Sequence, residues 1–221
     1  MNERIQLVLD SVVPLLTGAV AGTIPLTLIS FTVGLVIALV VALMRLSRRR
    51  LVSGAARAYV SVVRGTPLLV QLFIIFYAMP SFGVVLDPFP SAVIAFSINV
   101  GGYASEAIRA AILAVPRGQW EAAQTVGMGY RMTMRRVVLP QALRVAVPSL
   151  SNTFISLVKD TSLASTILVT EMMRKAQEIA APSFAFLELY TLAAAIYWAI
   201  CFVLSAGQSR LERRLSRYVT V

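Results

Sequence analysis

The sequence predicts an all-α integral membrane protein with five transmembrane helices. Hydrophobic residues make up 58% of its 221 positions and charged residues only 14%, whereas soluble domains average about 45–50% and about 25%. The apolar residues gather into five windows of about 20 residues, the length that an α-helix needs to cross a bilayer. Most basic residues lie beside these windows, as they do in the loops of multi-pass proteins. A bundle of spanning helices in one membrane domain, residues 1–221, is therefore the expected architecture.

The five predicted helices follow these windows in chain order. They cover residues 18–44, 59–79, 91–114, 148–172 and 187–207. Residues 1–10 carry two acids and one arginine, and the apolar run that follows is too long for the core of a signal peptide. We therefore expect the first helix to be retained.

Basic residues predict the orientation of the bundle. Of the 20 lysines and arginines, five lie in residues 45–57, five in 117–144 and four in 210–217. An excess of basic residues is typical of cytosolic loops, and these three segments alternate with the acid-containing segments 81–90 and 171–188. The pattern predicts an N-terminus outside and a C-terminus inside, with the arginines of 210–217 against the lipid surface.

The composition argues against several kinds of chemistry. The net charge of +10 would favour nucleic acid in a soluble protein, but here the charge lies beside apolar runs, so we expect no nucleic-acid partner. Cys201 is the one cysteine and histidine is absent. Disulfides within the chain and the common zinc and imidazole sites are excluded, and we expect no metal and no catalytic residue.

A helix–turn–helix is predicted for residues 121–140, which we call the coupling segment. Small side chains after Glu121 favour a helix start, glycines then break that helix, and a second helix is expected to end at a Leu-Pro pair. The marker residues are Glu121, Ala122, Ala123, Gly127, Leu139 and Pro140. An ordinary amphipathic loop whose arginines contact anionic lipid is the alternative. The EAA start, the glycine offset and the Leu-Pro close resemble the EAA loop of permease subunits in ABC importers, which docks on the ATPase subunit.

Polar residues inside the second and third predicted helices form a first candidate substrate path. Gln71 lies in an apolar run just after Pro67, where it either faces a path or belongs to a simple kink. Asn99 and Glu106 share one face of the third helix. An ionisable group inside a span costs at least ~2.5 kcal/mol unless it is paired or hydrated, so Glu106 is expected to contact either substrate or Arg109, three residues on.

The strongest candidate lies in the fourth helix, in the run Lys159, Asp160, Thr161 and Ser162. Adjacent helical residues do not face each other, so the two opposite charges each need water, another helix or a ligand. A zwitterionic amino acid would offer a carboxylate to Lys159 and an ammonium to Asp160, with the two hydroxyls as neutral partners. A structural network of buried ion pairs is the competing interpretation.

Several blocks together are similar to one family, the membrane permease subunits of polar amino-acid ABC importers. They are RGTPLLVQLF, NVGGYASEAIRAAI, QWEAAQTVGM, LPQALRV and SNTFISLVKDTSLAS. Within the family, residues 91–165 and the LDPFPSA loop most resemble bacterial L-cystine permeases; arginine, glutamine and histidine stay open as other substrates.

The resemblance implies a MetI-like type I importer fold in the bacterial inner membrane. It also implies a second permease copy, two ATPase subunits that use ATP and Mg, and an extracytoplasmic amino-acid-binding protein. No cofactor is expected on this chain, since no glycine opens a G-x-x-x-x-G-K-[ST] phosphate loop. A small membrane enzyme that uses Glu106 and Asp160, and a passive channel without an ATPase, are the rival classes.

Overall fold

The structure, a computed structural model of the chain, describes residues 2–216. Arg217, the last of the predicted C-terminal arginines, lies outside the described residues. Every regular element within this range is helical. The α-helices are α1 (Asn2–Gly18), α2 (Ile24–Arg45), α3 (Arg50–Gly65), α4 (Leu68–Phe73), α5 (Pro88–Leu113), α6 (Arg117–Thr125), α7 (Tyr130–Thr133), α8 (Leu139–Asp160), α9 (Met172–Ser183) and α10 (Phe186–Ser216).

Short helical turns of other types join several of these elements. The π turns are Ala19–Thr23, Ile74–Ala78 and Met134–Val138, and the 3₁₀ turns are Met79–Phe82 and Thr161–Ile167. Because helices continue through the π turns, α1 joins α2, and α7 joins α8.

The predicted start of the first helix at residue 18 is wrong, since one continuous helix runs from Glu3 to Arg45. A hydropathy window misses its beginning, because residues 2–17 alternate polar and apolar side chains with a helical period. Arg4 in this part also pairs with Glu188 of α10.

The second predicted helix is broken. Its two parts, α3 and α4 with the turns that follow, meet at 106°. Pro67 has no N–H to donate and holds Thr66 in an extended conformation, at φ −121° and ψ 146°. The single helix predicted for residues 59–79 is therefore wrong.

The coupling segment and the fourth helix also differ from prediction. Leu139 and Pro140 lie inside one helix that runs from Tyr130 to Asp160, so the expected end at this pair is wrong. The π turn Met134–Val138, which ends two residues before Pro140, accommodates the proline, as such turns do in membrane helices. That helix thus starts well before residue 148, and Leu168, at φ 67°, separates it from α9.

Helix α5 forms the centre of the main core and packs on α2, α3, α4 and α8. Close approach depends on small residues: a Cβ atom added to Gly101 would lie 2.5 Å from Ile37 Cγ2 and 2.7 Å from the Tyr59 hydroxyl. A second, smaller core joins α1, α9 and α10. It contains Leu15, Ala19, Met172, Ala176 and Ala193.

Within residues 2–216, two helices are long and apolar enough to cross a bilayer, namely Glu3–Arg45 and Phe186–Leu215. The bent pair of α3 and α4 gives a third if it forms one span. Helices α5 and α8 are long, but their polar and charged side chains lower their mean hydropathy. Five spans and the orientation of the termini stay predictions.

Candidate functional site

An open polar cavity of about 510 Å³ lies where the α3–α4 break faces α5 and α8. One side chain with a formal negative charge, Asp160, lies in its lining. The lining residues are Thr66, Pro67, Leu68, Asn99, Val100, Tyr103, Ser149, Asn152, Thr153, Ser156, Leu157 and Asp160. Amides and hydroxyls dominate the polar part of this wall, so it can donate and accept hydrogen bonds.

Gln71 stabilises the α3–α4 break. Its side-chain nitrogen donates to the backbone carbonyls of Val63 at 2.8 Å and Thr66 at 3.2 Å, groups that the bend leaves without helical partners. Its side-chain oxygen accepts from Asn99 at 3.1 Å. Gln71 therefore stabilises the cavity wall without lining it, whereas Asn99, which donates to Gln71, lies in the lining.

Only one member of the predicted run 159–162 lines the cavity. Asp160 lies in the wall, whereas Lys159 is exposed and lies outside the lining, as the angle between neighbours on a helix requires. Thr161 is buried and donates to the Val158 carbonyl at 2.7 Å, and Ser162 donates to the Lys159 carbonyl at the same distance. The two hydroxyls therefore close the end of α8 and do not project into the cavity.

A polar stripe on α8 was missed by the sequence interpretation. Its members recur at helical spacing: Ser149, Asn152, Thr153, Ser156 and Asp160. Offsets of three, four, seven and eleven residues place side chains on one face, so periodicity of polar residues was the signal that could have found them.

Arg64 brings a positive charge to the same region. Its guanidinium carbon lies 5.3 Å from the centre of the Tyr103 ring, and Tyr103 lines the cavity. A cation over an aromatic face at this distance is a favourable contact. Arg64 therefore contacts the cavity wall from outside the lining, through Tyr103.

Glu106 lies outside the cavity lining. Its carboxylate pairs with Arg45 at 2.9 Å and with Arg109 at 3.0 Å. The predicted Glu106–Arg109 pair is confirmed, and Arg45 adds a link to the end of α2 that sequence spacing could not reveal. This bridge joins two helices and leaves Glu106 without a position at the polar cavity.

The coupling segment forms a compact turn between α6 and α7. Helix α6 starts at Arg117, earlier than Glu121, and ends in a Schellman arrangement: Gly127 N–H donates to Gln124 at 2.9 Å and Met128 N–H to Ala123 at 3.0 Å. Gly127 has φ 76°, a conformation that costs side-chain-bearing residues energy. The predicted glycine break is confirmed.

The outer surface of this turn is free to contact a partner. Glu121 and Ala122 are exposed, whereas Ala123 is buried against the rest of the protein. Two apolar side chains at the tip, Val126 and Tyr130, are 73% and 67% exposed. Apolar groups grouped on a projecting turn are typical of a protein-binding surface.

Long apolar helices around a cavity with polar lining, together with a projecting turn, are typical of an integral membrane transport protein. Residues 30–217 match the family model described as binding-protein-dependent transport system inner membrane component. The chain belongs to this family.

Two curated relatives cover nearly the whole chain. The sequence is 61% identical to the L-cystine transport system permease protein TcyB of Bacillus subtilis (strain 168), over 96% of this chain and 92% of TcyB. It is 38% identical to the glutamine transport system permease protein GlnP of Escherichia coli (strain K12), over 92% of this chain and 94% of GlnP.

Solved structures agree with the fold. A crystal structure of an amino acid ABC transporter with histidines matches with a TM-score of 0.85 and 37% identity, over 91% of this chain and 94% of that one. The inward-facing MetNI methionine ABC transporter matches with a TM-score of 0.78 at 20% identity, over 91% and 96%, which shows the fold alone. The predicted all-helical permease fold and the family resemblance are confirmed.

Proposed function

We propose that this chain is the membrane subunit of an ATP-driven importer of L-cystine. The observation that carries the proposal is the 61% identity to TcyB over 96% of the chain. The relative for glutamine is much less similar, at 38%. The chain itself is proposed to hydrolyse nothing and to hold no cofactor; a separate ATPase subunit uses ATP and Mg.

The polar cavity is the proposed substrate position. L-Cystine carries two ammonium and two carboxylate groups, joined through a disulfide. Asp160 suits one ammonium, and Arg64 beside Tyr103 suits a carboxylate, since charge-assisted hydrogen bonds are the strong ones. In this arrangement Arg64, which lies outside the lining but contacts the lining residue Tyr103, takes the role that the sequence assigned to Lys159.

The amides and hydroxyls of α5 and α8 serve the second half of the molecule. Asn99 and Asn152 each offer a donor and an acceptor, and both lie in the lining. Neutral groups of this kind satisfy a substrate without holding it too tightly to leave. Gln71, Thr161 and Ser162 act indirectly, because their hydrogen bonds shape the wall.

The coupling segment is the proposed contact to the ATPase. The exposed tip around Val126 and Tyr130 would fit a groove on that subunit, and the continuous helix from Tyr130 to Asp160 would carry its motion to the cavity wall. Glu121 and Ala122 face outward on the same turn. A second permease copy, two ATPase subunits and an extracytoplasmic binding protein complete the importer in the bacterial inner membrane.

Five spans fit this arrangement. They are the helix Glu3–Arg45, the bent pair of α3 and α4, α5, α8, and α10. The polar side chains of α5 and α8 would be tolerated in the membrane because they face the cavity or neighbouring helices. The N-terminus is proposed to lie outside and the C-terminus inside.

Reconstitution tests the proposal. Proteoliposomes that contain the permease, its ATPase and its binding protein should take up radiolabelled L-cystine only with ATP inside, and excess unlabelled cystine should compete better than arginine, glutamine or histidine. Vesicles without the ATPase are the control. Uptake in those vesicles would indicate a passive channel, full competition by another amino acid would change the substrate, and chemical turnover would indicate an enzyme.

A further inference from the structure

Glu171 is a fully buried carboxylate at the meeting point of three helices. Its oxygens accept hydrogen bonds from the Tyr197 hydroxyl at 2.8 Å, the Thr23 hydroxyl at 3.3 Å and the Arg174 backbone N–H at 2.7 Å. Its exposed fraction is 0%. No cationic side chain of residues 2–216 forms an ion pair with it, so neutral donors alone stabilise the group.

The first helix is shaped to receive this residue. A Cβ atom at Gly22 would lie 2.3 Å from the Thr170 carbonyl oxygen and 2.7 Å from Glu171 Cα. One at Gly18 would lie 2.9 Å from Lys175 Cγ. The Gly18–Gly22 pair therefore seats the beginning of α9, and Glu171 cannot shift without disturbing the π turn that contains Gly22.

A short rigid link connects Glu171 to the cavity. Gln177 of α9 donates to the Ser165 hydroxyl at 3.2 Å, and α9 begins after Glu171, eleven residues beyond Asp160. Between them, the 3₁₀ turn Thr161–Ile167 has its Ala164 and Ile167 side chains completely buried. A buried polar network in which each member has partners favours one geometry over others.

We infer that Glu171 is a positioning residue that fixes the place of Asp160 in the cavity, because it anchors the far end of the buried segment that follows Asp160. The inference rests on the proposed function, because it assumes that Asp160 contacts the transported molecule. Glu171 itself does not line the cavity. Its role is to hold the outer end of α8 against the first and last helices while the bundle moves.

The test measures the number of amino-acid molecules transported per ATP hydrolysed, in proteoliposomes with saturating binding protein. A loss of protein lowers both rates together, whereas a misplaced Asp160 lowers their ratio. Glu171→Leu leaves three donors unpaired and should reduce the ratio by about fivefold or more, the factor for about one net buried hydrogen bond. Glu171→Gln keeps an acceptor for Arg174 N–H, so it should restore the ratio to within about twofold.

Two further variants keep the inference falsifiable. Tyr197→Phe removes only one hydroxyl donor to Glu171, and it should lower the ratio by at least about twofold even if Glu171→Leu does not assemble. Glu178→Gln is the matched control, because Glu178 lies on the exposed face of α9, where the hydrogen bond from Lys175 lowers its pKa; its ratio should stay unchanged.

The outcomes separate the two proposals. A wild-type ratio in Tyr197→Phe, or a Glu171→Leu variant whose two rates fall in parallel, would overturn the positioning role. The assay uses whichever amino acid of the competition panel the wild type moves. Failure of the wild type to move cystine therefore counts against the proposed substrate and leaves the test of Glu171 intact.

Discussion

At the scale of single residues, hydrogen bonds distinguish the residues that stabilise the cavity wall from those that can contact a ligand. Gln71 uses its amide to satisfy two carbonyls at the α3–α4 break and one neighbouring amide, so little of its capacity is left for a ligand. Among residues 2–216, no side chain forms a hydrogen bond with the Asp160 carboxylate, which lies in the cavity wall. A polar residue in an apolar run thus has a structural role when the helix beside it is interrupted and its carbonyls need donors.

Replacement of Asp160 by Asn tests the contact role. The variant keeps the shape of the side chain but loses the charge that would attract an ammonium, so uptake should fall by at least about tenfold, the factor for ~1.4 kcal/mol. ATP hydrolysis should continue. Uptake and hydrolysis are measured in the same vesicles, with Asp10→Asn, exposed on α1, as the matched control. Wild-type uptake in Asp160→Asn would reject a direct role.

At the scale of elements, glycine chemistry gives the coupling segment its form. Helix α6 can end within one residue because Gly127 adopts a left-handed conformation and two backbone hydrogen bonds close the turn. The stacked rings of Trp120 and Tyr130, 6.0 Å apart, then fix α7 against α6. A rigid turn can transmit a displacement that a flexible loop would not transmit.

Gly127→Ala is predicted to weaken the contact to the ATPase. A residue with a Cβ atom pays about 1–2 kcal/mol for the left-handed conformation, so the turn should open and the ATPase subunit should bind about five- to thirtyfold more weakly. Co-purification at graded ATPase concentration measures this. Gly118→Ala, in an exposed helical position with open space around it, is the control and should bind normally. Equal binding by both variants would contradict a role for the turn.

At the scale of the whole molecule, the two cores described above have different roles. The larger core surrounds α5 and positions the cavity, whereas the smaller core joins α1, α9 and α10. The hydrogen bonds of Glu171 cross from the π turn of the first helix to α9 and α10. These hydrogen bonds therefore hold the three helices of the smaller core together.

Gly101→Ala should destabilise the larger core. Its Cβ atom would overlap Ile37 and Tyr59, and forced overpacking costs about 1–3 kcal/mol. The purified permease should lose its native tryptophan fluorescence at a lower temperature than the wild type. Gly54→Ala, which meets open space, should match or slightly exceed the wild type, because alanine favours helix over glycine. An unchanged midpoint for Gly101→Ala would show that α2 and α5 can separate freely.

The sequence predicted what local physics controls. Gly127 predicted the turn, and Pro67 predicted an irregularity in the second helix. Arg109 was one of the two partners expected for Glu106. Contacts between distant parts of the chain could not be predicted from the sequence. No sequence neighbour of Glu106 indicates Arg45, and no sequence neighbour of Glu171 indicates Thr23. The helix boundaries failed where amphipathic residues or a π turn let a helix continue past a polar stretch or a proline.

The length of the first helix carries a last consequence. At about 1.5 Å per residue, its 43 residues reach about 64 Å, more than the ~40–45 Å of a whole bilayer. Even at a tilt of about 40°, the steepest usually seen, it extends over about 49 Å. Part of this helix therefore extends beyond the bilayer. In a chain with Cys201 replaced by Ser, a cysteine introduced at Glu3 would react with a thiol reagent that cannot cross lipid from one side of the membrane only, which would reveal which way the protein was inserted.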